Sequence, residues 1–358
     1  MDPLLCPAGA PCRIGWWNIP IPLRIIFFAI MAAATAAMIY GIYRRIELWR
    51  LGQPQASFDQ PWRRLKRVFR YAIVQARILR QSYGAVMHLL IFWTMALFFA
   101  GTVLGSLDTD VFELILNAKL LQGDFYLGEK IVLDLAALAA LVGLGLAIYR
   151  RYVVRPAQLN TDPQGASGAW RFNLTLPLLA FIVFTGLLVE ALRLAALQPA
   201  WAPFSVVAFP ISRLFVGAGA DALSGLHRGA WIVHFVAVAI ALATLPWTNL
   251  LHVFTSAVNI FVAPFRARGA LTPIADLETT EQLGVSKIRE LPWPRLVNVD
   301  ACTECGRCQE VCPAHAAGQP LNPKQLVLDL RAALTAEGAQ RTGNMARSAC
   351  PACGTQAR

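Results

Sequence analysis

The chain has 358 residues, of which 56% are hydrophobic and only 15% are charged, and its mean hydropathy is +0.50. A soluble domain carries about 25% charged residues, so the composition excludes an ordinary soluble enzyme. The formal net charge of +11 does not indicate nucleic-acid binding, because the basic residues concentrate in particular loops between apolar segments.

Five segments are long and apolar enough to cross a bilayer, which takes about 20 residues. They lie near 22–43, 84–106, 129–149, 172–197 and 228–248. From about residue 266 onward the sequence is polar, punctuated by proline and cysteine-bearing. We therefore predict an all-α membrane protein, with a five-helix transmembrane bundle over 1–265 and a small α-helical, ferredoxin-like tail over 266–358.

The N-terminal segment contains Cys6 and Cys12 and lacks the basic start of a cleavable signal peptide. If this segment faces the oxidising side of the membrane, the two cysteines can form a disulfide. Two unpaired thiols are an equally good interpretation.

The distribution of charge predicts the topology. Residues 44–80 contain ten Lys and Arg but two acids, whereas the loop between the second and third spans is acidic. The loop after the third span is again basic, with Arg150, Arg151 and Arg155. Basic loops stay in the cytoplasm. We expect a bacterial inner-membrane protein with its N-terminus outside and its tail inside.

The segment 61–81 reads PWRRLKRVFRYAIVQARILRQ. Helical spacing places Trp62, Leu65 and Phe69 on one face, with Arg and Lys largely on the other. This pattern predicts a basic helix lying in the lipid headgroup region. A docking surface for an acidic cytoplasmic partner is the alternative.

Two histidines stand near the cytoplasmic ends of spans. His88 lies near the start of the second span, and His252 follows the fifth. Two imidazoles at one depth can be the axial ligands of a six-coordinate b-type haem. The alternative is that each is a core histidine bonded to a backbone carbonyl, whereas His227 is not expected to bind haem.

Three ionisable residues lie about 8–11 Å inside the outer ends of their spans. They are Asp134, Glu190 and His234. Unpaired charges in a membrane are costly, so these residues are expected to meet one another, Arg193 or a ligand. A quinone site that exchanges protons is one interpretation, and a structural polar cluster with a Glu190–Arg193 pair is the other.

The tail contains the run CTECGRCQEVCP, in which Cys302, Cys305, Cys308 and Cys312 are followed by proline. This spacing is the bacterial ferredoxin pattern for a 4Fe–4S cluster. Zinc sites also use CxxC pairs, usually two separated ones. Four cysteines in eleven residues followed by proline favour the cluster, and His315 is interpreted as its polar neighbour.

A second motif begins but is not completed. Cys350 and Cys353 have the spacing of its first two ligands, and Gln356 stands where the third is expected. In two-cluster ferredoxins the fourth cysteine of one motif binds the other cluster. Three interpretations stay open: a product shorter than its relatives, a site completed by a partner, or one cluster whose fourth ligand is Cys312, Cys350 or Cys353.

Nearly the whole chain resembles known membrane oxidoreductases. The five spans, His88 and the segment WIVHFVAVAIALATLPWTNLLHVFTSAVN (231–259) resemble the gamma subunit of respiratory nitrate reductase. The tail from Val299 resembles the ferredoxin segment of heterodisulfide-reductase-like proteins. This combination is typical of bacterial proteins thought to link electron-transfer flavoprotein to quinone, and the resemblance implies an outward quinone site.

The resemblance also exposes departures. Two-haem relatives carry two histidines about ten residues apart in the second span, and Phe98 stands at the second position here. His234, a candidate for a second haem or for quinone, then has no imidazole partner. We expect one haem b, on the cytoplasmic side. Larger relatives continue into a second cluster and a cysteine-rich catalytic domain that this sequence lacks.

The leading interpretation is membrane-bound electron transfer between a cytoplasmic redox protein and the quinone pool, through a 4Fe–4S cluster and haem b. Menaquinone or ubiquinone is the expected membrane substrate. The expected soluble partner is electron-transfer flavoprotein or a cysteine-rich heterodisulfide-reductase-like subunit. Two alternatives are a cytochrome b anchor of a separate dehydrogenase or reductase and a haem-free anchor with a structural or sensing cluster.

Overall fold

The computed structural model describes residues 10–54, 58–159, 169–265, 270, 278–279 and 284–341. In this part of the chain the regular structure is helical, and the β-structure is limited to two isolated bridges. The all-α prediction is therefore confirmed. The α-helices are α1 (Ile21–Trp49), α2 (Pro61–Val68), α3 (Ser82–Ser106), α4 (Leu114–Leu116), α5 (Gly123–Ile148), α6 (Ala169–Leu197), α7 (Ala208–Ser212), α8 (Ala220–Thr244), α9 (His252–Val262), α10 (Trp293–Asp300), α11 (Arg307–Glu310), α12 (Pro313–Ala316) and α13 (Pro323–Arg341).

Five of the helical stretches are long and apolar enough to span a bilayer, as predicted. They are Ile21–Trp49, Ser82–Leu116, Gly123–Val154, Arg171–Leu197 and Ala220–Trp247. Each contains one of the predicted spans, apart from the final residue of the fifth. Helices meet the requirement that every backbone N–H and C=O within lipid be hydrogen-bonded inside its own segment.

The chain divides into two compact units, each described by itself. The first unit comprises residues 1–37, 78–155 and 173–244. The second comprises residues 38–77, 156–172 and 245–358. The second unit therefore combines the cysteine-bearing tail with the basic 44–77 segment and the last turns of α1.

Small residues let the helices of the first unit pack closely. A Cβ on Gly143 of α5 would lie 2.8 Å from the Leu90 side chain of α3, so this crossing requires glycine. The fully buried Ala140 and Ala191 belong to the core that α5 and α6 share. Since lipid offers no hydrophobic drive for helix association, such close packing is the main source of cohesion.

Polar contacts fix the N-terminal segment and the acidic loop of the first unit. Arg13 pairs with Glu129 at 3.1 Å. The buried Asp108 accepts hydrogen bonds from the Leu120 and Leu121 amides at 2.7 and 2.8 Å. Cys12 is disulfide-bonded, which agrees with the disulfide interpretation, and Cys6 lies outside the described residues. The loop acids thus have structural partners within their own unit.

The core of the second unit is built on α10 and α13. Leu296, Val297 and Leu334 are essentially inaccessible to solvent. The end of α1 is joined to α10 by polar contacts, because Trp49 Nε1 donates to Asp300 Oδ2 at 2.8 Å and Arg45 approaches Asp300 at 3.6 Å. These contacts attach the tail to the end of the first span within one compact unit.

The segment 61–81 differs from the predicted basic amphipathic helix. Its α-helix is α2, which continues as a π-helical turn at Phe69–Ile73 and does not extend to 81. Trp62 and Phe69 are exposed, as expected, but Arg64 is buried and donates to the Phe261 and Ala263 carbonyls at 2.7 and 3.1 Å. Helix C-termini leave carbonyls without intrahelical donors, so this arginine caps α9 instead of facing lipid headgroups.

Candidate functional site

The cysteine motif forms a curled loop between α10 and α12. Cys302 and Cys312 are half-buried, Cys305 and Cys308 are exposed, and none of the four is in a disulfide. Glu304 and Gly306 adopt left-handed conformations, with φ of +56° and +73°. Two left-handed residues so close together turn the chain sharply within the cysteine motif.

Arg331 of α13 supports this loop from behind. Its guanidinium donates to the Cys302 carbonyl at 3.2 Å and forms a buried ion pair with Glu304. The Glu304 amide in turn donates to the Cys302 sulfur. The first cysteine is therefore held by contacts to its backbone and to its thiol.

Gly306 is required by a close approach of the chain. A Cβ at this position would overlap the Gln158 carbonyl oxygen. The neighbouring Lys324 is buried and donates to the same carbonyl at 3.0 Å. Segment 156–159 thus packs directly on the cysteine loop, a contact that no sequence pattern predicted.

The donor set suits an iron–sulfur cluster. Four thiols within eleven residues match the ligands of a cubane, which gives each thiolate its own iron. Among the described residues, no three His, Cys, Asp or Glu side chains are gathered closely enough to hold one metal ion. Zinc sites usually use two separated CxxC pairs, whereas these four thiols lie in one run. Burial raises the pKa of the Cys302 thiol, so metal binding there must displace a proton.

His315 lies beside the loop, as the sequence suggested. The Gln309 side-chain amide donates to its Nε2 at 3.0 Å. Cys350 and Cys353 lie outside the described residues. The three interpretations of the fourth ligand and of a second cluster therefore stay predictions.

One small polar pocket in the second unit joins the cysteine loop to His252. Both Cys302 and His252 line this pocket, together with three arginines and Asp300. The arginines are Arg45, Arg171 and Arg331. The structure therefore brings together a predicted cluster ligand and a predicted haem ligand.

Hydrogen bonding defines the tautomer of His252. Its Nδ1 lies in hydrogen-bonding contact with the Asn249 carbonyl oxygen, and a carbonyl can only accept. The proton is therefore on Nδ1, and Nε2 carries the basic lone pair that a metal requires. Burial lowers the pKa of His252, which also keeps the ring neutral. These features fit a haem ligand, although a core histidine can make the same bond.

His88 is half-buried in α3, and its ring stacks near Phe92 with centroids 6.4 Å apart. His88 and His252 belong to different units. Their pairing across a haem remains a prediction.

The first unit contains a larger cavity of about 530 Å³. The three residues predicted at a quinone site, Asp134, Glu190 and His234, all line it. Phe98, which stands at the position of the missing histidine, also lines it. An apolar cavity with a few convergent polar groups is the usual form of a small-molecule site.

The two predicted carboxylates of this cavity have structural partners. Asp134 accepts hydrogen bonds from the Val207 and Ala208 amides, the latter at 3.1 Å, and so holds the start of α7. Glu190 pairs with Lys130 and with Arg193, the latter at 2.9 Å. The expected Glu190–Arg193 pair is present, and Lys130 makes it a triad.

His234 differs from the two carboxylates because its partner is the hydroxyl group of Thr185, which has one proton to donate. The Thr185 hydroxyl lies 2.8 Å from the Phe181 carbonyl and 3.0 Å from His234 Nδ1. If the hydroxyl donates to that carbonyl, as threonines within helices commonly do, it accepts from Nδ1–H. His234 then presents Nε2 as its basic atom, and a Cβ at Gly186 would be 3.2 Å from its ring.

Sequence reasoning missed several residues of the cavity. Lys130 is bonded to Glu190, Tyr126 accepts from Arg193 at 3.2 Å, and His227 contacts Asn18. Lys130 could have been identified from the sequence, because it is a cation within a predicted span and a buried carboxylate was predicted opposite it. No local pattern marks Tyr126.

Comparison with known proteins supports the cluster. Residues 293–314 match the family model described as a 4Fe-4S binding domain, which contains all four cysteines of the first motif. No solved structure matches the chain.

Three curated relatives align with most of this chain. EtfAB:quinone oxidoreductase of Syntrophomonas wolfei is 29% identical over 91% of this chain and 45% of its own length. The probable iron-sulfur-binding oxidoreductase FadF of Bacillus subtilis is 26% identical over 89% and 44%. A probable membrane-anchored ferredoxin of Chromohalobacter salexigens is 30% identical over 87% and 41%. The chain thus spans less than half the length of these relatives, and its resemblance to nitrate reductase gamma stays a prediction.

The replacement Gly306→Ala is expected to prevent cluster assembly. Alanine pays a left-handed penalty of about 1–2 kcal/mol, and its Cβ would also overlap the Gln158 carbonyl. Iron and acid-labile sulfide should fall from about four of each per chain to less than half. The matched control is Gly318→Ala, which has φ +74° and no atom within 4 Å of its Cβ. Equal iron content in the two variants would contradict this view of the loop.

Proposed function

We propose that this chain transfers electrons between a soluble redox partner and the quinone pool, through a 4Fe–4S cluster in the tail and a b-type haem in the membrane. The observation that carries the proposal is the pocket lined by both Cys302 and His252. Neighbouring centres are what electron transfer through protein requires, and a haem or a cluster supplies one-electron chemistry.

His252 and His88 are the proposed axial ligands. The Asn249 carbonyl orients the His252 ring and keeps Nε2 unprotonated, which is the usual outer support of a metal-binding histidine. His88 provides the second imidazole from the start of α3. Cys302, Cys305 and Cys308 hold the cluster, with Cys312, Cys350 or Cys353 as the fourth ligand.

The cavity of the first unit is the proposed quinone site. Quinol oxidation releases two protons with two electrons, so a base must stand beside the reacting hydroxyl. His234 Nε2 suits this role because Thr185 occupies the other ring nitrogen. Glu190 is held between Lys130 and Arg193, and Asp134 is bound to backbone amides, so these carboxylates shape and polarise the cavity.

The names of the relatives agree with this proposal. One is described as an EtfAB:quinone oxidoreductase and another as a membrane-anchored ferredoxin. We propose electron-transfer flavoprotein or a cysteine-rich heterodisulfide-reductase-like subunit as the soluble partner, and menaquinone or ubiquinone as the membrane substrate. The basic 44–80 and 150–155 segments favour an inner-membrane protein with the tail in the cytoplasm and the N-terminus outside.

Two other functions compete with this one. A cytochrome b anchor for a separate dehydrogenase or reductase would keep the haem and the quinone site and take electrons from another subunit. A haem-free anchor with a structural or sensing cluster would have neither. The absorption spectrum of the purified protein separates the second alternative from the other two.

Replacing either proposed axial ligand is expected to abolish the low-spin b-haem spectrum. His88→Ala and His252→Ala each leave the iron one axial bond short, whereas His227→Ala leaves both ligands in place. The measurement is the reduced-minus-oxidised spectrum, together with haem per chain, in proteins of equal iron–sulfide content. Full low-spin spectra in both the His88 and the His252 variants would contradict the pairing of these two histidines at one haem.

Replacing His234 is expected to slow electron entry from quinol. Loss of a general base costs about 10²-fold or more, so His234→Gln should slow haem reduction by a quinol analogue by about that factor. Reduction by dithionite, which needs no proton acceptor, should be unchanged. The control is Asp221→Asn, an exposed position on the same helix and outside the cavity. Normal quinol kinetics in a haem-loaded His234 variant would move the site elsewhere.

A further inference from the structure

Two histidines of α8, His227 and His234, line the cavity of the first unit. His234 is the proposed proton acceptor, and His227 has no part in that step. The two residues are seven positions apart, close to two helical turns, so both side chains lie on one face of α8. The rise over seven residues is about 10 Å. The cavity therefore has imidazole rings at two depths along the same wall.

Asn18 defines the tautomer of His227. The Asn18 amide oxygen accepts from the Ser224 hydroxyl at 2.7 Å and from the Arg228 guanidinium at 3.1 Å. A guanidinium can only donate, so the opposite end of this amide is its N–H₂ group. That group donates to the Ser224 carbonyl at 2.7 Å and lies 3.4 Å from His227 Nδ1. Nδ1 therefore accepts, and the proton of the neutral ring is on Nε2.

The two imidazoles are thus complementary. When His234 donates from Nδ1 to Thr185, its Nε2 can accept a hydrogen bond, whereas Nε2 of His227 can only donate one. The His227 side chain is buried, and its ring packs edge-to-face on Trp17 with the centroids 4.5 Å apart. In the part of the chain that the structure describes, Nε2 of His227 has no hydrogen-bond partner. Buried donors are nearly always paired, so an acceptor is expected within the cavity.

The spacing of the two rings fits the oxygens of a para-quinone. Those oxygens are about 5 Å apart, and a hydrogen bond of about 2.8 Å at each end gives about 11 Å between the two partner nitrogens. The rise between His227 and His234 is about 10 Å. An ortho-quinone, whose oxygens are adjacent, is too short to reach both rings. Apolar side chains such as Phe98 and Leu187 also line the cavity, and they suit the faces of an aromatic ring.

We infer that His227 donates a hydrogen bond from Nε2 to one oxygen of a para-quinone or para-quinol whose other oxygen lies at His234. The inference rests on the proposed function, because the substrate occupies the same cavity. A carbonyl oxygen and a hydroxyl oxygen both have lone pairs that accept such a bond, so His227 binds the oxidised and the reduced form. His227 is therefore a binding residue that selects the para arrangement, and His234 remains the proton acceptor.

Two planar compounds provide the direct test, 1,4-naphthalenediol and 1-naphthol, which differ by one hydroxyl group. Each is titrated by calorimetry, without oxygen, into the full chain in detergent after reduction with dithionite, so that no electrons are transferred. The wild-type protein should bind the diol about tenfold more tightly than the naphthol, which is the usual contribution of one hydrogen bond.

Variants of His227 assign this difference to its Nε2. His227→Phe keeps a ring against Trp17 but lacks the donor, so the ratio of the two affinities should fall to within about twofold of unity. His227→Gln retains an N–H group and should keep most of the ratio. Comparing two ligands with two proteins forms a double-mutant cycle, which separates the contact between the donor and the oxygen from effects on folding.

Two further variants serve as controls. Asp221→Asn changes an exposed residue of the same helix that does not line the cavity, and it should keep the wild-type ratio. Tyr126→Phe tests the competing donor, because the Tyr126 hydroxyl lines the cavity, accepts from Arg193 at 3.2 Å and has a proton of its own to donate. This variant should also keep the ratio.

Three outcomes would overturn the inference. Equal binding of both compounds to the wild-type protein would show that the second oxygen has no donor. A ratio that survives in His227→Phe, or is lost in Tyr126→Phe, would show that another group holds this oxygen. In both cases, weaker binding of both compounds to His234→Gln would show that the proposed quinone site stands. If neither compound binds the wild-type protein saturably, the proposed quinone site fails, and the inference fails with it.

Discussion

The cost of burying a charge without a partner organises both candidate sites. In the first unit, Glu190 lies between Lys130 and Arg193, and Asp134 receives two backbone amides. In the second unit, Asp300 joins Arg45 and Trp49. Apart from the Glu190–Arg193 pair within α6, these pairings link elements that are distant in the chain. The same contacts that neutralise charge therefore also position the walls of the cavity and of the pocket.

The local patterns could be predicted from the sequence. The five spans follow from length and hydropathy, and the cysteine spacing identified the 4Fe–4S segment that the family comparison supports. Both signals lie within short stretches of chain. The sequence also identified Asp134, Glu190 and His234 as residues of similar depth, and they line one cavity. Depth along a helix can be read from the sequence, because the rise per residue is constant.

The tertiary partners could not be predicted. Arg64 was expected on the basic face of a helix in the lipid headgroup region, but it caps α9, because the carbonyls that need it are contributed by residues almost 200 positions away. Lys130 and Thr185 could be recognised as partners of Glu190 and His234 only from the packing of α5 and α8 beside α6. The pocket shared by Cys302 and His252 depends on a turn after the fifth span that hydropathy does not reveal. In each case the missing information was the position of a distant segment.

The central claim is our proposal that electrons from the soluble partner reach the haem through the cluster. It can be tested with a reduced soluble flavoprotein that delivers about one electron per chain, while the haem α band is followed by stopped flow without oxygen. In the wild-type protein the haem should be reduced within milliseconds. In Cys305→Ser, which lacks a cluster ligand but keeps His88 and His252, haem reduction should be at least tenfold slower. Equal rates in the two proteins would show that electrons reach the haem without the cluster and would contradict the account.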